Sequence, residues 1–349
     1  MSIYEAIKKN GDCEEELHTL ELPVYLTEGK KMSTSLSSKL MAYSSLIKKY
    51  ASTLGFDNKQ ISLLNKSIQR IISIIKKIEK AEFDNAYSEF NILFSQLKNV
   101  FINKDCQLNP MLFVPTKDLE TKLFRARQGD FMDKSIEEAY HVPLSKNYKC
   151  KTFRFSEYGY PMLYLSQTEK CARYEFKDAE DITTYIFELK ENDKNDGNKE
   201  FEWKILDLAH PYSKTAYNMW TNAPKIDEGK EAINSFIRHL FWPIIAACYC
   251  IYDSSQLSDE SYKIERTYKA EYVFPQFLSR YLREHHPYIS GIRYFTVRNE
   301  NLDSTSTDWT NYALFTNFSN AGDRDYDLDL LNRFIIKKNK YENLSELQY

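Results

Sequence analysis

The sequence predicts an α+β protein in which a helical region precedes a region of mixed strands and helices. Two observations lead to this prediction. Apolar residues between positions 34 and 102 recur at the spacing of helices, and beyond position 118 short strand patterns alternate with helical ones. The 349 residues are enough for two domains. We therefore predict a helical domain over residues 1–118 and a second domain over residues 119–349.

The first domain is predicted to contain three antiparallel helices between residues 34 and 102. The clearest apolar stripe consists of Ile61, Leu64, Ile68, Ile71, Ile72, Ile75 and Ile78, which share one face at a period of 3.6. The boundary is placed at residues 103–118, which hold two prolines and several turn formers. A nuclease-like unit is the alternative, but no Arg and His occur at catalytic spacing, so a structural or regulatory domain is favoured.

The second domain shows a sequence of short elements. Residues 151–156 and 162–166 are predicted to be paired strands around a turn, and residues 168–177 a helix that Thr168 caps. Two further strand patterns flank the polar loop 191–200 and are predicted to form a hairpin. Helices are predicted at 231–240 and 275–284, and strands at 291–297 and 311–316.

Composition excludes several classes of protein. A net charge of −3 gives no reason to expect nucleic acid or an anionic membrane as partner. The 9 glycines are scattered, whereas dinucleotide-binding and phosphate-binding loops need them clustered. The longest apolar run, 240–252, is too short for a membrane span and contains Pro243. The N-terminal segment lacks the apolar stretch of a secretory signal, so we expect a cytoplasmic protein.

No metal site is predicted. The acidic segment 323–331 begins like a calcium loop, but Leu328 replaces the required glycine and Phe334 the required glutamate. None of the 6 cysteines forms a CxxC pair, and Cys248 and Cys250, which lie in an apolar run, are expected to be buried thiols.

The residues with the strongest chemical potential lie between positions 121 and 176. Arg154 precedes Tyr164 by ten residues, and Tyr164 precedes Glu175 by eleven. If the predicted strands pair, the three side chains converge on one cleft, which Arg125 could join. Arginine suits a pyrophosphate, tyrosine a flat ring, and a carboxylate the ribosyl cation that forms when the nicotinamide–ribose bond of NAD⁺ breaks. A plain structural ion pair between Arg154 and Glu175 remains the alternative.

The same stretch resembles the RES domain, a family named for its Arg, Glu and Ser. Phe124-Arg125 resembles the family's early aromatic–arginine pair, and the segment 153–156 its second strand. The turn Gly159-Tyr160-Pro161, the strand residue Tyr164 and the helix end 172–175 follow at the family's intervals. The resemblance covers residues 119–335, and the helical region corresponds to the extension that longer members carry.

The resemblance implies a fold and a set of roles. The fold would be a split antiparallel β core with helices, similar to ADP-ribosyltransferase toxins. Arg154, Tyr164 and Glu175 would be catalytic: Arg154 would hold phosphates with Arg125, Tyr164 would stack on or orient the nicotinamide ribose, and Glu175 would stabilise the ribosyl cation. Weaker candidates for substrate binding are Arg127, His141 and Ser156; a histidine such as His141 is more often a packed residue than a catalyst. NAD⁺ is the substrate, with no further cofactor and no metal.

The chain departs from the family pattern at one place. The family's later Ser precedes a proline by four residues, and the best local match puts Glu271 there, before Pro275. Either the serine is replaced, or Ser279 or another hydroxyl takes its role.

Three functions follow from the sequence. The first is an NAD glycohydrolase or phosphorylase that acts as a bacterial toxin or defence effector, and the second is a mono-ADP-ribosyltransferase with a protein target. The third is a non-catalytic nucleotide-binding or interaction module, which the missing Ser favours. For the enzymes, an antitoxin or regulatory protein is an expected partner, the N-terminal domain would block the cleft or sense a trigger, and an oligomer is compatible with the sequence.

Overall fold

The computed structural model describes most of the chain, and the chain divides into two compact units. The described residues are 3, 7, 9, 14–27, 29–102, 109, 112–114, 121–176, 181–190, 204–209, 231–252, 268–296, 309–320 and 325–339; of 14, 231–234, 320 and 339 only the backbone is described. The first unit comprises residues 1–113 and 210–286, and the second comprises residues 114–209 and 287–349.

The first unit is mainly helical. Numbered along the chain with those of the second unit, its helices are α1 Glu14–His18, α2 Met32–Lys49, α3 Ala51–Leu54, α4 Asn58–Glu79, α5 Phe83–Phe101, α7 Glu231–Cys248 and α8 Ala270–His285; β1 Val24–Leu26 pairs in parallel with β6 Cys250–Tyr252. The three predicted helices therefore form, as α2, α4 and α5. Asp57 and Gln60 begin α4 with a capping box, in which each side chain accepts a hydrogen bond from the other's backbone N–H.

The division into units differs from the two-domain prediction. The first break, between residues 113 and 114, lies close to the predicted boundary, but residues 210–286 belong to the helical unit. The reason is the apolar character of α7, which is buried from Phe236 to Cys248 and so needs other helices around it. The ring of Trp242 in α7 stacks on that of Tyr43 in α2, with the ring centres 4.1 Å apart. The ring centres of Phe274 in α8 and Phe90 in α5 are 5.2 Å apart.

Two details of α7 and α8 correct the sequence prediction. Helix α7 continues through Pro243 to Cys248, beyond the predicted end at residue 240. Helix α8 begins at Ala270, and Pro275 lies inside it rather than at its start. Each proline removes one backbone hydrogen bond from its helix, and the burial of the surrounding side chains offsets this loss. Cys248 and Cys250 are buried thiols, as predicted.

The second unit is built on one seven-stranded sheet. Its elements are β2 Lys122–Gln128, β3 Met162–Ser166, α6 Glu169–Tyr174, β4 Ile182–Leu189, β5 Lys204–Asp207, β7 Ile289–Phe295, β8 Thr310–Phe315, α9 Leu328–Leu331 and β9 Phe334–Asn339. The strand order is β5-β7-β8-β3-β2-β4-β9, and neighbours are antiparallel except β5 and β7. The protein thus combines helices with a mixed sheet, which is compatible with the predicted α+β class.

Two predicted strand pairings are wrong. The strands on either side of loop 191–200 exist, but β4 pairs with β2 and β9 while β5 pairs with β7, so they form no hairpin; the loop itself lies outside the described residues. Residues 151–156 form an irregular segment instead of a strand partner for β3. Backbone N–H groups of Phe153 and Ser156 donate to each other's carbonyl oxygens at 3.2 and 3.3 Å, which closes the segment on itself.

Alternation along the strands gives the sheet two faces. One, which we call the core face, packs the residues Val114, Leu123, Ala139, Leu163, Leu165, Tyr185, Phe187, Ile205, Tyr312, Leu314, Leu330, Leu331 and Phe334. The alternate residues form the opposite face, which we call the polar face. It includes Phe124, Ser166 and Asn311, because Ser166 lies opposite Phe124 on one neighbour and Asn311 on the other.

Among the helices that the structure describes, none is long and apolar enough to cross a membrane.

A buried ion pair joins β5 to β7, and its loss should destabilise the second unit. Arg293 Nε and Nη2 donate to the two carboxylate oxygens of Asp207 at 3.1 and 2.8 Å, and both side chains are almost fully buried. Asp207→Asn leaves the Arg293 charge uncompensated, which we expect to lower the free energy of unfolding by about 3–5 kcal/mol. Urea unfolding of the full chain measures this change.

The matched control is Glu188→Gln on the outer part of the same sheet. Glu188 pairs with Lys122 at 3.1 Å and with Lys337 at 2.6 Å, where solvent screens the charges. We expect a much smaller loss than for Asp207→Asn. Equal losses would mean that burial of the Asp207–Arg293 pair has no special role.

Candidate functional site

A group of polar side chains lies together on the polar face. The Tyr164 hydroxyl, on β3, donates to Ser156 Oγ at 3.1 Å, and the Tyr164 ring lies 5.3 Å from the ring of Phe153. Ser156 is 2% exposed, whereas Tyr164 is only partly buried. The hydroxyl pair therefore joins a strand to the irregular segment 151–156.

The segment 151–156 is held against the sheet by an aromatic anchor. The Phe155 ring is fully buried and lies 4.8 Å from the ring of Tyr294, a residue of β7 that pairs with Asn311 of β8 on the polar face. Arg154, between Phe153 and Phe155, is 8% exposed. The segment that contains Arg154 therefore lies against the polar face.

Glu175 reaches this face from the end of α6. Thr168 caps the helix, as predicted, by accepting a hydrogen bond from the backbone N–H of Cys171 at 3.1 Å. One carboxylate oxygen of Glu175 accepts hydrogen bonds from Thr296 Oγ1 at 3.0 Å and from Asn311 Nδ2 at 3.4 Å. Two donors, one on β8 and one directly after β7, therefore fix the carboxylate.

Asn311 connects the carboxylate to the strand that carries Tyr164. Its side-chain oxygen accepts a hydrogen bond from Ser166 Oγ at 2.6 Å. Because Ser166 is two residues from Tyr164 on β3, the two lie about 7 Å apart along the polar face. Ser156, Tyr164, Glu175, Thr296 and Asn311 form what we call the polar cluster.

Arg125 does not lie with this cluster. It pairs with Tyr185 on β4, and Tyr185 belongs to the core face, opposite the face of Tyr164. Its Nη1 is buried without a hydrogen-bond partner among the described residues. Burial, together with the positive charge of Arg127, lowers the pKa of Arg125 to about 10. The convergence of Arg125 with Arg154, Tyr164 and Glu175 that the sequence suggested is therefore not found.

Arg127 has structural partners on the core face. Its Nη1 lies 2.9 Å from Glu138 Oε2, and its guanidinium lies 4.9 Å from the centre of the Phe131 ring. These contacts tie β2 to the segment after it and place Arg127 away from the polar cluster.

His141 is a packed histidine, the reading that the sequence favoured. Its Nε2 accepts a hydrogen bond from the backbone N–H of Asp327 at 3.0 Å, so its Nδ1 carries the proton and donates to the Val142 carbonyl at 2.8 Å. The side chain is 1% exposed, and burial lowers its pKa below the ordinary value of 6.5. His141 therefore fixes the backbone at the start of α9.

The residues proposed to replace the family's serine lie in the helical unit. Glu271 and Ser279 both belong to α8 and are buried. Ser279 Oγ donates to the Pro275 carbonyl at 3.2 Å, a contact within its own helix.

Sequence reasoning missed Thr296 and Asn311. Both are distant in sequence from Glu175 and meet it only through strand pairing. One signal was present: Asn311 directly precedes the apolar and aromatic residues 312–315 of its strand, where asparagine is unfavourable unless its amide is used.

Asp327, in the acidic segment that begins like a calcium loop, caps a helix. Asp327 Oδ1 accepts a hydrogen bond from the backbone N–H of Leu330 at 3.1 Å, at the start of α9. Across the part of the chain that the structure describes, no group of three or more His, Cys, Asp or Glu side chains could hold a metal ion.

Comparison with known proteins finds a distant relative. Over 268 residues the chain is 23% identical to the protein named "Putative toxin YopC" of Bacillus subtilis (strain 168). The match covers 76% of this chain and 55% of the relative, so the chain spans about half the length of the protein that it matches. No known family model matches the chain, and no solved structure matches it.

The hydrogen bonds of His141 predict a pH dependence of stability. Because burial lowers its pKa in the folded state, the unfolded chain binds a proton first as the pH falls below 6.5. The stability that neutral His141 contributes is therefore complete above pH 6.5 and is lost as the pH falls through the lowered pKa of the folded state. Protonation there also breaks the hydrogen bond from the backbone N–H of Asp327. Chemical unfolding at pH 7.5 and 5.5, for the wild type and His141→Gln, measures it.

We expect the wild type to lose more stability between the two pH values than His141→Gln does. The quantity to compare is the difference between the wild type and His141→Gln in the stability that each loses. Burial also lowers the pKa of His239 and His286, but these residues are present in both proteins. Parallel pH profiles would contradict the structural role of the neutral imidazole.

Proposed function

We propose that this protein is a toxin that cleaves the nicotinamide–ribose bond of NAD⁺ at the polar cluster. The observation that carries the proposal is the Glu175 carboxylate, which Thr296 and Asn311 fix on the same sheet face as the Tyr164–Ser156 hydroxyl pair. A fixed carboxylate beside hydroxyl groups suits a reaction in which a sugar develops positive charge. The proposal includes a RES-type, ADP-ribosyltransferase-like organisation of the second unit.

Each residue of the cluster has a role in this proposal. The carboxylate of Glu175 stabilises the ribosyl cation as the carbon–nitrogen bond breaks, and nicotinamide leaves as a neutral molecule that needs no proton. The Tyr164 hydroxyl, oriented by Ser156, hydrogen-bonds to the ribose. Arg154, on the same segment as Ser156, supplies positive charge for the pyrophosphate. Arg125 is left out, because it belongs to the core face.

The acceptor decides the product. With water, NAD⁺ gives ADP-ribose, nicotinamide and one proton; with inorganic phosphate it gives ADP-ribose 1″-phosphate and nicotinamide. Transfer to a protein side chain would use the same donor site. Of these we propose cleavage with water or phosphate.

The toxin role is supported by the similarity to a protein whose name describes it as a toxin. Loss of NAD⁺ stops growth, which matches that description. The proposal also requires a partner, an antitoxin or regulatory protein, because unrestrained NAD⁺ loss would kill the cell that makes the enzyme.

The first experiment is incubation of the purified full chain with NAD⁺, with and without phosphate. Chromatography follows nicotinamide, ADP-ribose and ADP-ribose 1″-phosphate. Release of nicotinamide with either sugar product supports the proposal. Release only when lysate protein is added would favour transfer, and no cleavage under any condition would contradict the proposal.

Glu175→Gln should lower kcat by about 10²- to 10³-fold, the usual cost of removing one charge that stabilises a transition state. Glutamine retains an oxygen that can accept from Thr296 and Asn311, so the fold should be unchanged. Nicotinamide release under saturating NAD⁺ measures the effect, and thermal unfolding checks the fold.

Glu137→Gln is the matched control, since Glu137 is an exposed carboxylate of the same unit. It should keep full activity. A Glu175→Gln protein that still cleaves NAD⁺ at the rate of the wild type would remove Glu175 from the mechanism.

A further inference from the structure

The two phenylalanines of the segment 151–156 have opposite environments. Phe155 is fully buried, whereas Phe153 is 49% exposed. Phe155 packs against Tyr294 and holds the segment on the sheet, so its burial explains why a phenylalanine occupies this position. Burial does not explain Phe153, which presents a large part of its ring to solvent directly beside the polar cluster.

The Phe153 ring is held in place although it is exposed. The reciprocal backbone hydrogen bonds to Ser156 fix its main chain. On one side its ring contacts the Tyr164 ring at 5.3 Å with an angle of 54° between the planes. An aromatic side chain that is already ordered loses little conformational entropy when a ligand stacks on it.

We propose that Phe153 is the surface on which the positively charged nicotinamide ring of NAD⁺ lies, and that it thereby favours the oxidised over the reduced dinucleotide. This inference rests on the proposed function. If Tyr164 orients the ribose, the ring attached to that ribose lies within reach of the residue that packs against Tyr164, which is Phe153.

The chemistry of the two rings fits this arrangement. The face of a phenylalanine ring carries negative charge density, and the oxidised nicotinamide ring is flat and carries a positive charge. The reduced ring is neutral and no longer aromatic, so it loses the cation–π attraction and the stacking of one aromatic ring on another. Phe153 would therefore discriminate by the charge and the aromaticity of the nicotinamide ring, without a hydrogen bond.

Equilibrium binding of two matched ligands to the full chain tests the inference. Carba-NAD⁺ has a methylene in place of the ribose ring oxygen and cannot form the ribosyl cation, and its dihydro form differs from it only in the nicotinamide ring. We expect Phe153→Leu, which keeps apolar bulk but removes the aromatic face, to weaken binding of carba-NAD⁺ about 3- to 10-fold. Binding of the dihydro form should change by less than about 2-fold.

Two further variants and one further ligand complete the experiment. Phe153→Trp should bind carba-NAD⁺ at least as tightly as the wild type does. Tyr158→Leu is the matched control, since Tyr158 lies in the same loop and is 74% exposed; it should bind as the wild type does. ADP-ribose, which lacks the nicotinamide, should bind equally well to the wild type and to Phe153→Leu.

The outcomes separate the inference from the proposed function. Equal loss of both carba ligands, or no loss of either, would overturn the role of Phe153 while NAD⁺ cleavage by the wild type still supports the proposed function. An equal loss for ADP-ribose would place adenine on Phe153 instead and would also overturn it. A wild-type protein that neither binds nor cleaves the dinucleotide would overturn both.

Discussion

The period of two along each β-strand is the constraint on which the candidate site depends. It places Tyr164 and Ser166 on one face of the sheet, and Leu163, Leu165 and Arg125 on the other. Five separate parts of the chain then contribute one residue each to a single polar cluster. The same alternation excludes Arg125 from the polar cluster, although an arginine is chemically suited to bind a phosphate.

Local patterns predicted the elements of the fold better than their partners. The three helices, strand β3 and the Thr168 cap follow from periodicity and capping, which depend on residues within one or two turns. The hairpin failed because it requires knowledge of strand pairing. Strand β4 lies between β2 and β9, where Tyr185 and Phe187 are buried in the core, and does not pair with β5, the next strand in the sequence.

The candidate site shows the same division. Tyr164 and Glu175 could be singled out by residue type and spacing, and Ser156 through the family resemblance, and the three lie on one face. Thr296 and Asn311 could not, because they come more than 120 residues after Glu175 and only the sheet brings them to it. Their hydrogen bonds determine the orientation of the carboxylate, so the chemistry of Glu175 cannot be derived from its own neighbours in sequence.

The hydrogen bonds of Glu175 permit a structural reading as well as a catalytic one. They tie the end of α6 to β8 and to the residue after β7, so a side chain that only stabilised the fold would make the same contacts. The two readings differ in what they require of the side chain: a tie needs an acceptor atom, whereas stabilisation of a cation needs a negative charge. Glutamine supplies the first without the second. A protein that folds normally with glutamine at this position but cleaves slowly would therefore assign the charge, and not the contact, to function.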